Sequence, residues 1–216
     1  MSVTRSGVSA KQLQRELGVT YKTAWRMFKQ IRLLMANSNK GGEPLDGIVE
    51  IDETYIGGRV KRKNVWGGGV EKKQIVMGIV KRRGKAYLKH IPNTNMWTLI
   101  NQVKENISPR AFVMTDDFSA YKRLPDHGYY HHYSVIHSNQ QYTKWKGLIH
   151  NNTVENMWSQ LKRGIYGVYR NVSKKYLQAY IDEYAWRYNH RKYQDKMFEI
   201  LLKEITNVKS IPVIII

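Results

Sequence analysis

Val49-Glu50-Ile51-Asp52-Glu53-Thr54-Tyr55 is the middle of an apolar, β-branched and aromatic run, Ile48–Ile56, that reads as a strand. Two further strand-like runs follow at Gln74–Lys81 and Lys85–Ile91, then a helix-like run at Asn95–Ile107 and another strand at Ala111–Thr115. Three consecutive strands and then a crossover predict an α/β fold with a mixed sheet flanked by helices. A short helix around Phe118–Leu124, a strand near Tyr130–His137 and helices near Thr153–Ile165 and Ser173–Tyr188 complete the expected order. The sequence carries no internal repeat.

Ahead of this core, residues 9–17 read as a short helix capped by Ser9, with Leu13 and Leu17 four apart and Gly18 ending it. Thr20 caps a second helix carrying Ala24, Phe28 and Ile31. The spacing is that of a helix-turn-helix, whose second helix would offer Tyr21, Lys22, Thr23 and Arg26 to a major groove and its phosphates. An ordinary αα-hairpin is the alternative, and two helices alone cannot enclose a core. The expected organisation is a helix-turn-helix segment at 1–36, a linker rich in Asn, Gly and Ser at 37–47, a catalytic domain at 48–193 and a tail at 194–216.

Charge narrows the partner. Thirty-six Lys and Arg against 17 Asp and Glu leave a net charge of +19, which gathers a polyanion by counterion release. Nucleic acid is the expected partner. Fifteen Tyr and six Trp interleave with the cations, a pattern suited to stacking on unpaired bases, although core packing is the ordinary use of such rings. Between the first two strands, Gly57 to Lys73 combines five Gly with six Lys/Arg and is expected to form a mobile hairpin tip over DNA. Neither a long apolar run nor an amphipathic lipid-facing helix is present, so no membrane role is expected. With no cysteine and no exported-protein leader, a cytoplasmic, nucleoid-associated location is expected.

Three segments carry chemistry. Asp52 among apolar neighbours is costly unless paired or coordinated, and Asp116 ends the strand Ala111-Phe112-Val113-Met114-Thr115-Asp116, where carboxylates commonly line a ligand crevice. If those strands are neighbours, both carboxylates reach one metal, and hard oxygen ligands suit Mg²⁺ or Mn²⁺ for phosphodiester displacement. On the helix after His150, the residues Val154, Trp158, Leu161 and Ile165 form an apolar stripe, with Glu155 and Lys162 on its border about 10 Å apart along the axis. Seven His include His131, His132, His137 and His150, a set that could suggest a transition metal; no phosphate-cradling P-loop occurs.

Together, Ile-Asp-Glu-Thr-Tyr-Ile-Gly-Gly around Asp52, Thr-Asp-Asp-Phe-Ser-Ala-Tyr around Asp116, and His-Asn-Asn-Thr-Val-Glu-Asn-Met-Trp-Ser-Gln-Leu-Lys-Arg-Gly-Ile-Tyr from His150 resemble the insertion-sequence transposases of the ISXO-like kind. The resemblance runs from about Ser9 to Arg191, and the spacings of 64 residues from Asp52 to Asp116 and 36 from there to Asn152 suit that family. It implies an RNase-H-like fold, Asp52 and Asp116 as ligands of Mg²⁺ (or Mn²⁺), a third position drawn from Asn152 and Glu155, and Lys162 with its neighbour Arg163 on DNA. The carboxylate is the stronger ligand, which makes Glu155 the expected third metal residue and Asn152 a catalytic helper, unless Asn152 instead caps its helix. It further implies cleavage at the element's inverted repeats, strand transfer into target DNA and a homo-oligomer on DNA. A decayed transposase that only binds DNA and an RNase-H-like nuclease are the rival readings. Family members carry a zinc ribbon and a longer helical region ahead of the helix-turn-helix; neither is in this sequence, so a truncated module is expected.

Overall fold

The structure is a computed structural model that describes residues 6–39, 41–57, 73–135 and 149–207. Segment 58–72, most of the expected hairpin tip, and His137 lie outside them. The described chain forms two compact units, one of Met1–Gly41 with Arg163–Ile216 and the other of Gly42–Lys162.

In the Gly42–Lys162 unit five strands form one sheet: β1 (Ile48–Ile56), β2 (Gln74–Lys81), β3 (Ala86–Ile91), β4 (Phe112–Asp116) and β5 (His132–Val135), in the order β3-β2-β1-β4-β5. The first three are antiparallel neighbours, whereas β4 runs parallel to both β1 and β5. A parallel neighbour needs a crossover, and helix α3 (Met96–Asn106) supplies it. The two-residue period of β1 sends Val49 and Ile51 into a core with Leu99, Ile100 and Val103 of α3. Its even-numbered residues face the other way, and there β4 contributes Met114, packed with Val135 and Ile149. This is the mixed α/β architecture expected of an RNase-H-like domain. The short helix expected at Phe118–Leu124 is a 3-10 turn, Ser119–Arg123.

The other unit is helical. Ser9 accepts a hydrogen bond from the Gln12 N–H (3.1 Å) to start α1 (Ala10–Leu17), and Gly18 stops it at φ 64°. Thr20 accepts from the Thr23 N–H (3.2 Å) to start α2 (Tyr21–Ser38). The core that two helices cannot enclose is completed from the far end of the chain, by α5 (Lys174–Asn189) and α6 (Met197–Asn207). Leu34 and Met35 of α2 are buried with Trp186, Met197 and Leu201. Thus α6 occupies part of what reads in the sequence as a tail. At the centre the fully buried Glu183 pairs with Arg32 (2.9 Å) and Arg187 (2.8 Å) and accepts a hydrogen bond from the Tyr169 hydroxyl (2.9 Å). A buried carboxylate is tolerable only with partners this complete.

Helix α4 (Asn152–Gly164) gives way to a π-helical turn at Ile165–Tyr169. The next residue, Arg170, has φ 63° and ψ −53°, and the Asn171 N–H bonds the Tyr169 carbonyl at 2.7 Å. That is a γ-turn of the rare, strained hand.

Candidate active site

Asp52 and Asp116 lie on adjacent parallel strands. The pairing of Glu50 with Met114 is the last in the β1–β4 register, and each aspartate stands two residues beyond it, on the same face of the sheet. The start of α4 covers that face. The Trp158 indole N–H donates to Asp52 (2.7 Å), and Gly78, directly opposite Asp52 on β2, leaves the space this ring fills. A Cβ at Gly78 would stand 2.5 Å from the indole. The Asn151 amide is satisfied with its oxygen on the Asp116 N–H (3.1 Å) and its nitrogen on the His150 carbonyl (3.1 Å).

Glu50 anchors the helix. It is fully buried on the Asp52 face and accepts from the Thr153 N–H (2.7 Å), the Val154 N–H (3.1 Å) and the Thr153 hydroxyl (2.8 Å) while pairing with Arg82 (2.5 Å). A carboxylate on the first free amides of a helix satisfies orphan donors and opposes the helix dipole. Asn152 is therefore the first residue of α4 rather than its cap; the capping carboxylate comes from β1, and the Asn152 N–H bonds His150 Nδ1 (3.2 Å).

Carboxylates crowd one another here. Burial pushes the Asp52 carboxyl up to about 6, against the lowering effect of the Trp158 N–H, and Asp116 and Glu155 add repulsion. Burial also raises Glu53 to about 7, opposed by a hydrogen bond from the Tyr121 hydroxyl and reinforced by Asp52 and Asp116. Glu53 lies on the opposite sheet face from Asp52, as successive strand residues must. Among the described residues no three His, Asp or Glu side chains stand together as a ready metal cage. The donor chemistry nevertheless suits a hard divalent cation: oxygen atoms only, from carboxylates that repel one another until a cation neutralises them.

The remaining candidates are placed as follows. Asn152 and Glu155 are exposed on α4, Lys162 is half-buried near its end and Arg163 is exposed. The stripe Val154, Trp158, Leu161 and Ile165 is buried, joined by Met157. Tyr21, Lys22, Thr23 and Arg26 are all exposed on α2, in the other unit, and the Thr23 hydroxyl is engaged by Thr20 (3.0 Å). Of the described histidines, His131 stacks on Phe112, His132 shares a hydrogen bond with Thr115 (2.9 Å), and His150 Nδ1 lies 3.3 Å from the Glu50 carboxylate. Sequence reading missed Glu50, Glu53, Arg82, Asn151 and Gly78. The alternation Glu50-Ile51-Asp52 was the available signal, since it puts two acids on one face of a strand.

The five-strand mixed sheet and its flanking helices are those of an RNase-H-like domain, with Asp52 in the middle of β1 and Asp116 at the end of β4. Residues 44–189 match the ISXO2-like transposase domain, and the chain belongs to that family. It is also 28% identical over 106 residues to an "uncharacterized transposase-like protein" of Haemophilus influenzae, covering 49% of this chain and 82% of that one. Membership in a transposase family implies DNA as the partner. Among the described residues no helix is long and apolar enough to cross a membrane.

Proposed function

We propose that this protein is a metal-dependent polynucleotidyl transferase that cleaves the ends of an insertion sequence and joins them to target DNA. The observation that supports this most strongly is the placement of Asp52 and Asp116 side by side on one face of β1 and β4, with α4 packed over it. Asp52 and Asp116 would hold Mg²⁺ (or Mn²⁺), with Glu155 as third ligand and Asn152 orienting substrate. The cation supplies activation of the attacking oxygen and stabilisation of the leaving one. The chain's own residues do the positioning: Trp158 fixes the Asp52 carboxylate by its indole N–H, Glu50 fixes the first turn of α4, and Lys162 and Arg163 offer cations to the strand. Tyr21, Lys22, Thr23 and Arg26 bind DNA from the exposed start of α2.

The test is cleavage of a labelled element-end duplex with Mg²⁺. Asp52→Asn and Asp116→Asn should each abolish cleavage while leaving DNA affinity unchanged or slightly higher, since a negative charge is removed. Cleavage at wild-type rate in either variant would overturn the assignment. Glu155→Gln should raise the Mg²⁺ concentration for half-maximal cleavage far more than Asn152→Ala; the reverse order would make the third ligand the asparagine. Joined products distinguish a transposase from a nuclease that only hydrolyses.

A further inference from the structure

The helical unit contains a cavity of about 700 Å³ between the starts of α1 and α2, the strained 168–173 segment and the start of α5. Aromatic rings form part of its wall. Trp25 and Tyr176 meet edge to face with ring centroids 5.2 Å apart, and Tyr21 and Tyr180 extend the lining. No lining residue is acidic, while Lys11 and Arg170 are exposed on it. Lys29 adds a further cation 5.4 Å from the Trp25 ring and 5.7 Å from that of Tyr176. The third lining cation, Arg32, is neutralised by Glu183.

Rings in the wall and, at the edge, cations with no acidic partner among the described residues are what a nucleobase and its phosphate require together. The volume lies within the range of small-molecule sites. A purely apolar ligand would leave the cations without purpose, and an acidic peptide would not need four clustered rings. The strained γ-turn points the same way. Arg170 takes a backbone conformation that glycine would adopt more readily, yet the residue there is a cation beside the cavity.

We infer that this cavity binds an unpaired nucleotide of DNA, stacking its base on Trp25 and Tyr176 and holding its phosphate with Arg170 and Lys11. The site goes beyond the carboxylate centre and beyond groove contacts from α2: it recognises a base that has left the duplex, at a single-stranded end or a distorted junction. The inference rests on DNA as partner but not on cleavage.

The experiment uses the full chain in EDTA, so that the carboxylate chemistry plays no part. Binding is measured to a blunt duplex and to the same duplex with a single-stranded end of three nucleotides carrying 2-aminopurine, whose fluorescence is quenched on stacking. The tailed duplex should bind roughly tenfold more tightly, with quenching, and an abasic residue at the probe position should remove the gain. Trp25→Leu and Tyr176→Leu should lose both the preference and the quenching while still binding the blunt duplex; Tyr176→Phe should keep both. Should either leucine variant fail to fold, Arg170→Gly decides the matter: it relaxes the γ-turn, so its Tm should hold or rise while the preference for the tailed duplex falls. Equal affinity for both duplexes, or quenching that persists in a folded Trp25→Leu variant, would overturn the inference. So would a preference for an otherwise identical duplex whose single-stranded end is RNA, or full competition by a free deoxynucleoside monophosphate at micromolar concentration, which would make the cavity an RNA or free-nucleotide site. Asp52→Asn should leave the quenching intact, so failure of the catalytic assignment and failure of this one are separable.

Discussion

Replacing Glu50 tests whether one carboxylate fixes the start of helix α4. Glu50→Ala removes an acceptor from the Thr153 N–H, the Val154 N–H and the Thr153 hydroxyl, and strips Arg82 of its buried partner. Breaking one side of a buried ion pair costs about 3–5 kcal/mol, and loss of a helix cap about 1 kcal/mol. The two overlap, because the same carboxylate serves both, so the expected loss is about 4 kcal/mol rather than their sum. Glu50→Gln keeps one acceptor oxygen but loses the charge and turns the other oxygen toward its donors as an NH2 group, and should cost less than Glu50→Ala without restoring the wild-type stability. Arg82→Met leaves the carboxylate still facing the positive end of α4 and should also be milder than Glu50→Ala. In urea, with a slope near 2 kcal/mol/M, a 4 kcal/mol loss lowers the midpoint by about 2 M. Hydrogen exchange at the Thr153 and Val154 amides supplies a local reading, independent of how the two units unfold. A Glu50→Ala variant that loses under about 1 kcal/mol, with both amides still protected, would refute the reasoning.

Other outcomes follow from neighbouring contacts. Gly78→Ala drives a methyl into the Trp158 ring and should lower cleavage at least tenfold, with an overpacking cost of about 1–3 kcal/mol in thermal melts; unchanged activity would show that the indole bond to Asp52 is dispensable. Trp158→Phe keeps much of the packing but removes the N–H donor, so kcat should fall more than DNA affinity does. Binding to duplex DNA should weaken with salt at a log–log slope of about −0.9 per neutralised phosphate, and a flat titration would contradict the role given to the +19 charge. Residues 1–41 expressed alone should lack a cooperative thermal transition, because Leu34 and Met35 lose Trp186, Met197 and Leu201.

The sheet was legible because β-strand burial writes itself into short apolar runs: β1 and β2 have the limits the pattern gives, and the crossover helix falls within a residue of expectation. The two aspartates stood out for different reasons, Asp52 as an acid inside an apolar strand and Asp116 as the acid that ends one. Glu50 was not, since an acid beside Asp52 looks like part of the same feature until the register shows that it reaches α4 103 residues later. The partners that complete the N-terminal core were hidden by distance along the chain: nothing local in α5 or α6 names α2 as what they pack against. Arg170 was invisible as well, because a strained γ-turn at a non-glycine residue has no sequence signature.

The helical unit is assembled from segments on either side of the sheet unit in the sequence, with the entire sheet unit inserted between them. A ribosome therefore releases α1 and α2 well before it makes the helices they pack against. At ordinary elongation rates the wait is on the order of 10 s. During it the nascent N-terminal helices have no finished core, and a message cut short anywhere within the sheet unit yields no folded helical unit. Folded presentation of the exposed face of α2 is thus tied to translation of Asp52 and Asp116, so a prematurely terminated chain would not offer that face on a folded unit.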